Sequence, residues 1–232
     1  MVTGFIGGDS HVGTTMTAQA YAELLAERGR KTLLILCSGK VCSAFLNARK
    51  LPSVDDLRDH LVSGHLSEGE LGQTLYQEKN LSILPDVRDG LRAAEYPPSS
   101  AETLLAAAGR FEEVVLDLGN RVEFGLVVSG IMAADRRYLV VTQEEKALER
   151  SRYLLRRVLE PLQVEPLLII NRYRAQIPLP RAQTVSELLG RPVAGRLPYL
   201  QNGWEMEIRR QTFLGEKKYR RAMMKILEER AE

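Results

Sequence analysis

Phe5-Ile6-Gly7-Gly8-Asp9-Ser10-His11-Val12-Gly13-Thr14-Thr15 decides the fold of this 232-residue chain. A short apolar run ends in glycine. Gly8, Gly13 and Thr15 then fall where the phosphate-binding pattern G-x-x-x-x-G-K-[ST] has its glycines and its hydroxyl. Thr14 stands where that pattern has lysine. The glycines shape such a loop, whereas the lysine neutralises the β- and γ-phosphates during transfer. This loop keeps the outline and lacks the charge.

The residues around it read as a strand over 2–6, the glycine turn, a helix over 14–28 with Met16, Ala20, Leu24 and Leu25 on one side, and a buried strand over 33–37. Gly29 is a C-terminal stop for the helix. Strand, turn, helix, strand is a βαβ unit, whose crossover is right-handed and whose strands are parallel. The pattern repeats with strands over 81–85, 114–118, 138–142, 167–171 and 195–198 and helices over 54–62, 100–108, 144–159, 184–189 and 216–230. Ser99 or Ser100 is the expected cap of the helix over 100–108. Continuous apolar strands alternating with helices predict an α/β fold: a doubly wound, mostly parallel sheet flanked by helices on both faces. With no linker, repeat or low-complexity stretch, one domain over 1–232 is the expected count.

Composition narrows the function classes. Lysine and arginine total 32 against 30 acids, and a net charge of +2 argues against a surface that binds nucleic acid everywhere. Cys37 and Cys42 lack a histidine pair at zinc spacing and read as reduced thiols of a cytoplasmic protein. No signal peptide is expected, and no apolar run nears the ~18 residues a spanning helix needs, so membrane contact is expected to be peripheral at most.

Further segments carry a resemblance. Phe111-Glu112-Glu113-Val114-Val115-Leu116-Asp117-Leu118-Gly119, the run from Ala134-Asp135 to Thr142, Ile169-Ile170-Asn171-Arg172 and the segment from Leu189 to Tyr199 follow the loop in order. With them the chain resembles the MinD/ParA group of P-loop ATPases, whose deviant loop reads G-K-G-G-V-G-K-T, and most of all its CpaE-like, pilus-assembly branch. The resemblance spans nearly the whole chain. It implies a nucleotide site of Gly8, Gly13, Thr14, Thr15, Asp117, Asn171 and Pro198, holding ATP or ADP. Thr15 and Asp117 would face magnesium, Asn171 the adenine edge, and Pro198 would lie near the base.

The departures fall on the charges. Asp9 replaces the signature lysine that in the group reaches a partner's nucleotide, Ser10 and His11 replace glycines, and Thr14 replaces the ordinary lysine. After the second strand the group has D-x-D; here Leu36-Cys37-Ser38 stands there. One cationic group can be worth ~10³ or more in phosphoryl transfer, so no residue is assigned a catalytic role.

Two readings of the loop stay open: a strand-to-helix turn inherited with the fold, or a retained nucleotide site. Thr15 could equally cap its helix, Asp117 bond loop amides, and Asn171 close its strand. Lys40 or Arg121 are the cations that could approach from another direction. His11 reads as an exposed loop residue or a plug in the phosphate space. Leu148, Leu155 and Leu159 line the inner side of the helix over 144–159, opposite Arg150, Arg152, Arg156 and Arg157. The terminal helix sets Tyr219, Met223, Ile226 and Leu227 against Lys217, Lys218, Arg220, Arg221 and Lys225. Docked amphipathic helices explain both, with DNA or anionic membrane as the sharper alternative. Trp204 and Phe213 face a partner or close the core.

The expected function is a catalytically degenerate positioning or assembly factor, working through protein contacts of a pilus, secretion or cell-positioning system. It would pair with itself or with an active homologue. An unorthodox magnesium-dependent ATPase and a peripheral DNA or membrane binding module are the alternatives.

Overall fold

The computed structural model describes residues 1–41, 45–46, 51–176 and 178–229. Strand β1 (Val2–Gly7) leads through the glycine loop into helix α1 (Thr14–Glu27), followed by β2 (Thr32–Leu36). Helices α2 (Arg58–Ser63) and α3 (Glu68–Gln73) precede the hairpin of β3 (Tyr76–Glu78) and β4 (Leu81–Leu84). Then come α4 (Ser100–Ala107), β5 (Glu113–Gly119), α5 (Gly125–Ala133) and β6 (Arg136–Val141). Helix α6 (Glu145–Leu154), β7 (Leu167–Tyr173), α7 (Ala182–Leu189), β8 (Val193–Pro198), α8 (Gly203–Ile208) and α9 (Lys217–Glu228) complete the chain.

The eight strands among the described residues join one sheet, in the order β3-β4-β2-β5-β1-β6-β7-β8. Every pairing is parallel except that of β3 with β4. Alternate side chains feed two cores. Leu33 and Ile35, Leu139 and Val141, and Leu168 and Ile170 enter one. Leu34 and Leu36, Tyr138 and Val140, and Ile169 enter the other. The two-residue period of a strand divides its side chains in this way, and burying each such side chain fully stabilises the fold by about 1.5–3 kcal/mol. Phe5, Tyr21 and Tyr138 meet in the second core at centroid distances of 5.2, 5.3 and 6.1 Å.

Helix α1 is alanine-rich and ends where expected. Gly29 takes φ 85°, and Gly29 N–H and Arg30 N–H donate to the Ala26 and Leu25 carbonyls at 3.0 and 3.2 Å. The expected helix over 144–159 is α6 followed by a π-helical turn, Leu155–Leu159. There Glu160 N–H donates to Leu155 O at 2.8 Å. Ser99 does occupy the N-cap of α4, but its side chain makes no capping hydrogen bond. Helices α3, α5 and α8 and strand β3 were not expected. Cys37 is buried with a free thiol; Cys42 and the end of the expected terminal helix at Arg230 lie outside the described residues. No helix among the described residues is long and apolar enough to cross a membrane.

Candidate functional site

The loop after β1 lies where the C-terminal ends of β1, β2 and β5 converge, since Phe5 and Leu36 both stand in register with Asp117. Its backbone is held at both ends. Gly8 N–H donates to Val140 O at 2.9 Å, and a Cβ on Gly8 would lie 2.1 Å from Ser151 Oγ, so α6 packs directly against the loop. Gly13 caps α1 with φ 86°, and a Cβ there would lie 2.4 Å from Asn171 Nδ2. Only glycine fits either place.

Asn171 is 3% exposed and spans from β7 to the loop. Its Nδ2 donates to Val12 O at 2.8 Å and its Oδ1 accepts from Arg172 N–H at 2.9 Å. Both ends of the amide are thus engaged inside the protein, one on the loop backbone. Thr14 is buried, and Thr15, in the first turn of α1, donates its hydroxyl to Asp117 Oδ2 at 2.5 Å. Asp117 Oδ1 accepts from Gly119 N–H at 3.2 Å. Burial holds the Asp117 carboxyl above the usual carboxylate range, opposed by the Thr15 and Gly119 hydrogen bonds and by the charge of Lys40.

A residue absent from the sequence expectations joins this cluster. Asp86, just past β4, is 2% exposed. Its Oδ2 accepts from Ser38 Oγ at 2.7 Å, and its Oδ1 from Val87 and Gly39 N–H at 2.8 and 3.2 Å. Burial raises its pKa to about 7; the Ser38, Val87 and Gly39 hydrogen bonds oppose the shift, and the neighbouring Asp117 adds to it. Cys37, beside both acids, is pushed well up by burial and then by their charges. The strand end that lacks D-x-D therefore has a carboxylate supplied by its neighbour. Leu84-Pro85-Asp86, an acid directly after a buried strand, was the signal available in the sequence.

The loop's exposed side is crossed by two polar bridges. Asp9 Oδ1 accepts from Arg150 Nη1 of α6 at 2.5 Å. Lys40 Nζ donates to Asn120 Oδ1 at 2.8 Å, and Asn120 Nδ2 donates to Ser10 Oγ at 3.2 Å. His11 is exposed at φ 61°. Arg121 is engaged elsewhere, with Glu123 at 2.9 Å and over the Phe124 ring at 4.2 Å.

Pro198 stands apart from the loop, in register with Tyr173 at the end of β8. Beside it opens a groove of about 1190 Å³ lined by Tyr173, Arg174, Tyr199, Met206 and Lys217 among others. The Arg174 guanidinium lies 3.5 Å over the Tyr199 ring. Trp204 is 60% exposed on α8, whereas Phe213 packs edge-on against Tyr219 at 5.4 Å.

Thr15 and Asp117 are the hard oxygen donors that magnesium takes, and they fit a hydrated ion that also has a phosphate ligand. Among the described residues, no group of three histidine, cysteine or acidic side chains is arranged to hold a metal by itself.

No family model and no curated protein matches the chain. Solved structures do. The septum site-determining protein MinD of Pyrococcus horikoshii OT3, complexed with Mg-ADP, is 20% identical over 98% of this chain and 94% of its own, with a TM-score of 0.78. The MinC:MinD cell division complex of Aquifex aeolicus matches at 17% identity over 99% and 95%, TM-score 0.78. A ParA family ATPase of Chlorobium tepidum TLS matches at 16% identity over 100% and 97%, TM-score 0.79. Likeness at this level over whole chains establishes the fold, that of the MinD and ParA P-loop ATPases.

Proposed function

We propose that this chain, built on the fold of the MinD and ParA ATPases, is a member of that group that has lost hydrolysis. It acts as a positioning or assembly factor through protein–protein contacts, and its nucleotide binding is weak or absent. The observation that carries this reading is the pairing of Asp9 with Arg150. At the position where the group places a lysine, the loop presents a carboxylate, and the guanidinium nearest it is already neutralised by that carboxylate. Phosphoryl transfer depends on positioning and on charge stabilisation, so a loop with an intact backbone and no lysine retains shape without catalysis.

The fold supports the choice of partner class. A MinD is solved in complex with MinC, and this chain shares that architecture along its whole length. We place it as a homodimer or as the partner of an active homologue in a pilus, secretion or cell-positioning system, cytoplasmic and one domain throughout.

A second reading is favoured by one contact. Thr15 on Asp117 is the oxygen pair that a Mg-nucleotide would use, and a MinD neighbour is solved with Mg-ADP. In that case ATP or ADP would bind along Gly8, Gly13, Thr14 and Thr15, with its base toward Asn171 and Pro198. A calorimetric titration of ATP and ADP, with and without magnesium, separates the two. Saturable binding that needs magnesium supports the second reading; no heat supports the first.

A further inference from the structure

Strand β8 is the last in the sheet order and, among the described residues, pairs only with β7. One row of its backbone N–H and C=O groups is therefore turned away from the sheet, and such an edge is a template for another strand. The opposite edge, β3, is only three residues long and carries Glu78.

Helix α9 lies tightly on β8. A Cβ on Gly195 would come within 2.2 Å of Ile226 Cγ1, and Tyr219, Met223, Ile226 and Leu227 are buried beneath the helix. The flank of α9 beside the β8 edge carries exposed cations. Between the strand and the helix runs a groove of about 480 Å³ that includes Arg196, Lys218, Arg221 and Lys225 against one acid, Glu229. None of these four cations is in an ion pair among the described residues. Lys218 also lines the larger groove beyond the end of β8, so the basic surface is continuous past the strand.

Basic side chains on an edge strand also guard against self-pairing. That explains Arg196, which is on the strand. It does not explain three more cations on a neighbouring helix, all lining the same groove. We propose that the β8 edge and the basic face of α9 together dock an extended acidic segment of a protein partner, which adds as a further strand to the sheet. Hydrogen bonds to the outward-facing backbone groups of Val193–Pro198 would hold it, and Lys218, Arg221 and Lys225 would select its carboxylates. The inference deepens the proposed function by giving its protein contact a place. Failure of peptide binding would remove this edge as that place, whereas magnesium-dependent ATP turnover would remove the reading itself.

The test uses the full chain and fluorescein-labelled peptides of about ten residues, the length that covers such a strand with a residue or two beyond each end. Anisotropy titrations compare an alternating Glu/Val peptide, its Lys/Val counterpart and a Glu/Val peptide N-methylated at alternate residues. An oligothymidylate and phosphatidylserine vesicles serve as other anionic surfaces. The expected result is binding of the Glu/Val peptide but not of the Lys/Val peptide, the oligothymidylate or the vesicles, weakened roughly tenfold by N-methylation and roughly tenfold by the surface variant Arg221→Glu/Lys225→Glu. Slower amide hydrogen exchange over 193–198 should accompany binding. Equal binding of the N-methylated peptide, tighter binding of the oligonucleotide or vesicles, or no peptide binding at low salt would each overturn the proposal.

Discussion

Asp9 Oδ1 lies 2.5 Å from Arg150 Nη1, so the loop after β1 is tied to α6 by an ion pair formed within the chain. The carboxylate is largely covered, at 13% side-chain exposure, and the guanidinium is half open at 52%. A position that the resemblance gives to a lysine reaching another protomer has become the acidic half of an internal pair. A second anion arriving at the loop must compete with Asp9 for Arg150.

Replacing Asp9 with alanine should therefore make the loop a better anion site. The variant removes a like charge and frees Arg150, a change of about 1 kcal/mol at this exposure, equivalent to an affinity increase of roughly fivefold for Mg-ADP. Isothermal titration of wild type and Asp9→Ala checks this. Identical heats in both proteins would show that the ion pair does not control the loop.

Asn171 should be worth more to stability than to recognition. Asn171→Ala leaves the buried Val12 carbonyl without its donor at 2.8 Å and should lower unfolding free energy by about 1–3 kcal/mol. Gly13→Ala strains a residue at φ 86° against the same amide and should cost at least as much. Urea denaturation followed by circular dichroism measures both. An Asn171→Ala variant as stable as wild type would detach β7 from the loop.

Asp86 predicts a pH dependence whose sign is fixed by its environment. Its pKa is raised from the model-peptide range to about 7, so between about pH 4 and pH 7 the folded protein holds a proton that the unfolded chain has released. Its contribution to stability is greatest below that window and is lost as pH rises through it. Asp86→Asn keeps an acceptor for Val87 and Gly39 N–H and removes the charge beside Asp117. The difference in stability between variant and wild type should grow from pH 5 to pH 8 by a few kcal/mol in the variant's favour. Denaturant midpoints at the two pH values read it directly; a constant difference would mean that Asp86 titrates normally.

Much of this was legible in the residues. Buried parallel strands are continuous apolar runs, so β1, β2, β5, β6 and β7 could be placed within a residue or two, and the glycine loop fixed the first crossover. Helix α5 was missed because it is apolar on every side, with Gly125 and Gly130 in it and Val127 and Val128 between, so neither periodicity nor propensity marks it. Helix α3 was marked, by Ser67 three residues before Glu70: Ser67 Oγ accepts from Glu70 N–H and Glu70 Oε2 from Ser67 N–H, at 3.2 and 2.8 Å. Three-residue β3 has no pattern long enough to read. At the site, Thr15, Asp117 and the loop came together because one strand register joins them. The Asp86–Ser38 and Asp9–Arg150 contacts join residues 48 and 141 positions apart, through packing that no local motif encodes.

The central claim is that the fold has outlived its hydrolysis, and phosphate release from ATP with magnesium tests it most directly. The purified chain should release no more phosphate than Thr15→Ala and Asp117→Ala variants prepared in the same way, at any ATP concentration. Magnesium-dependent turnover by the wild type that either substitution abolishes would contradict the account.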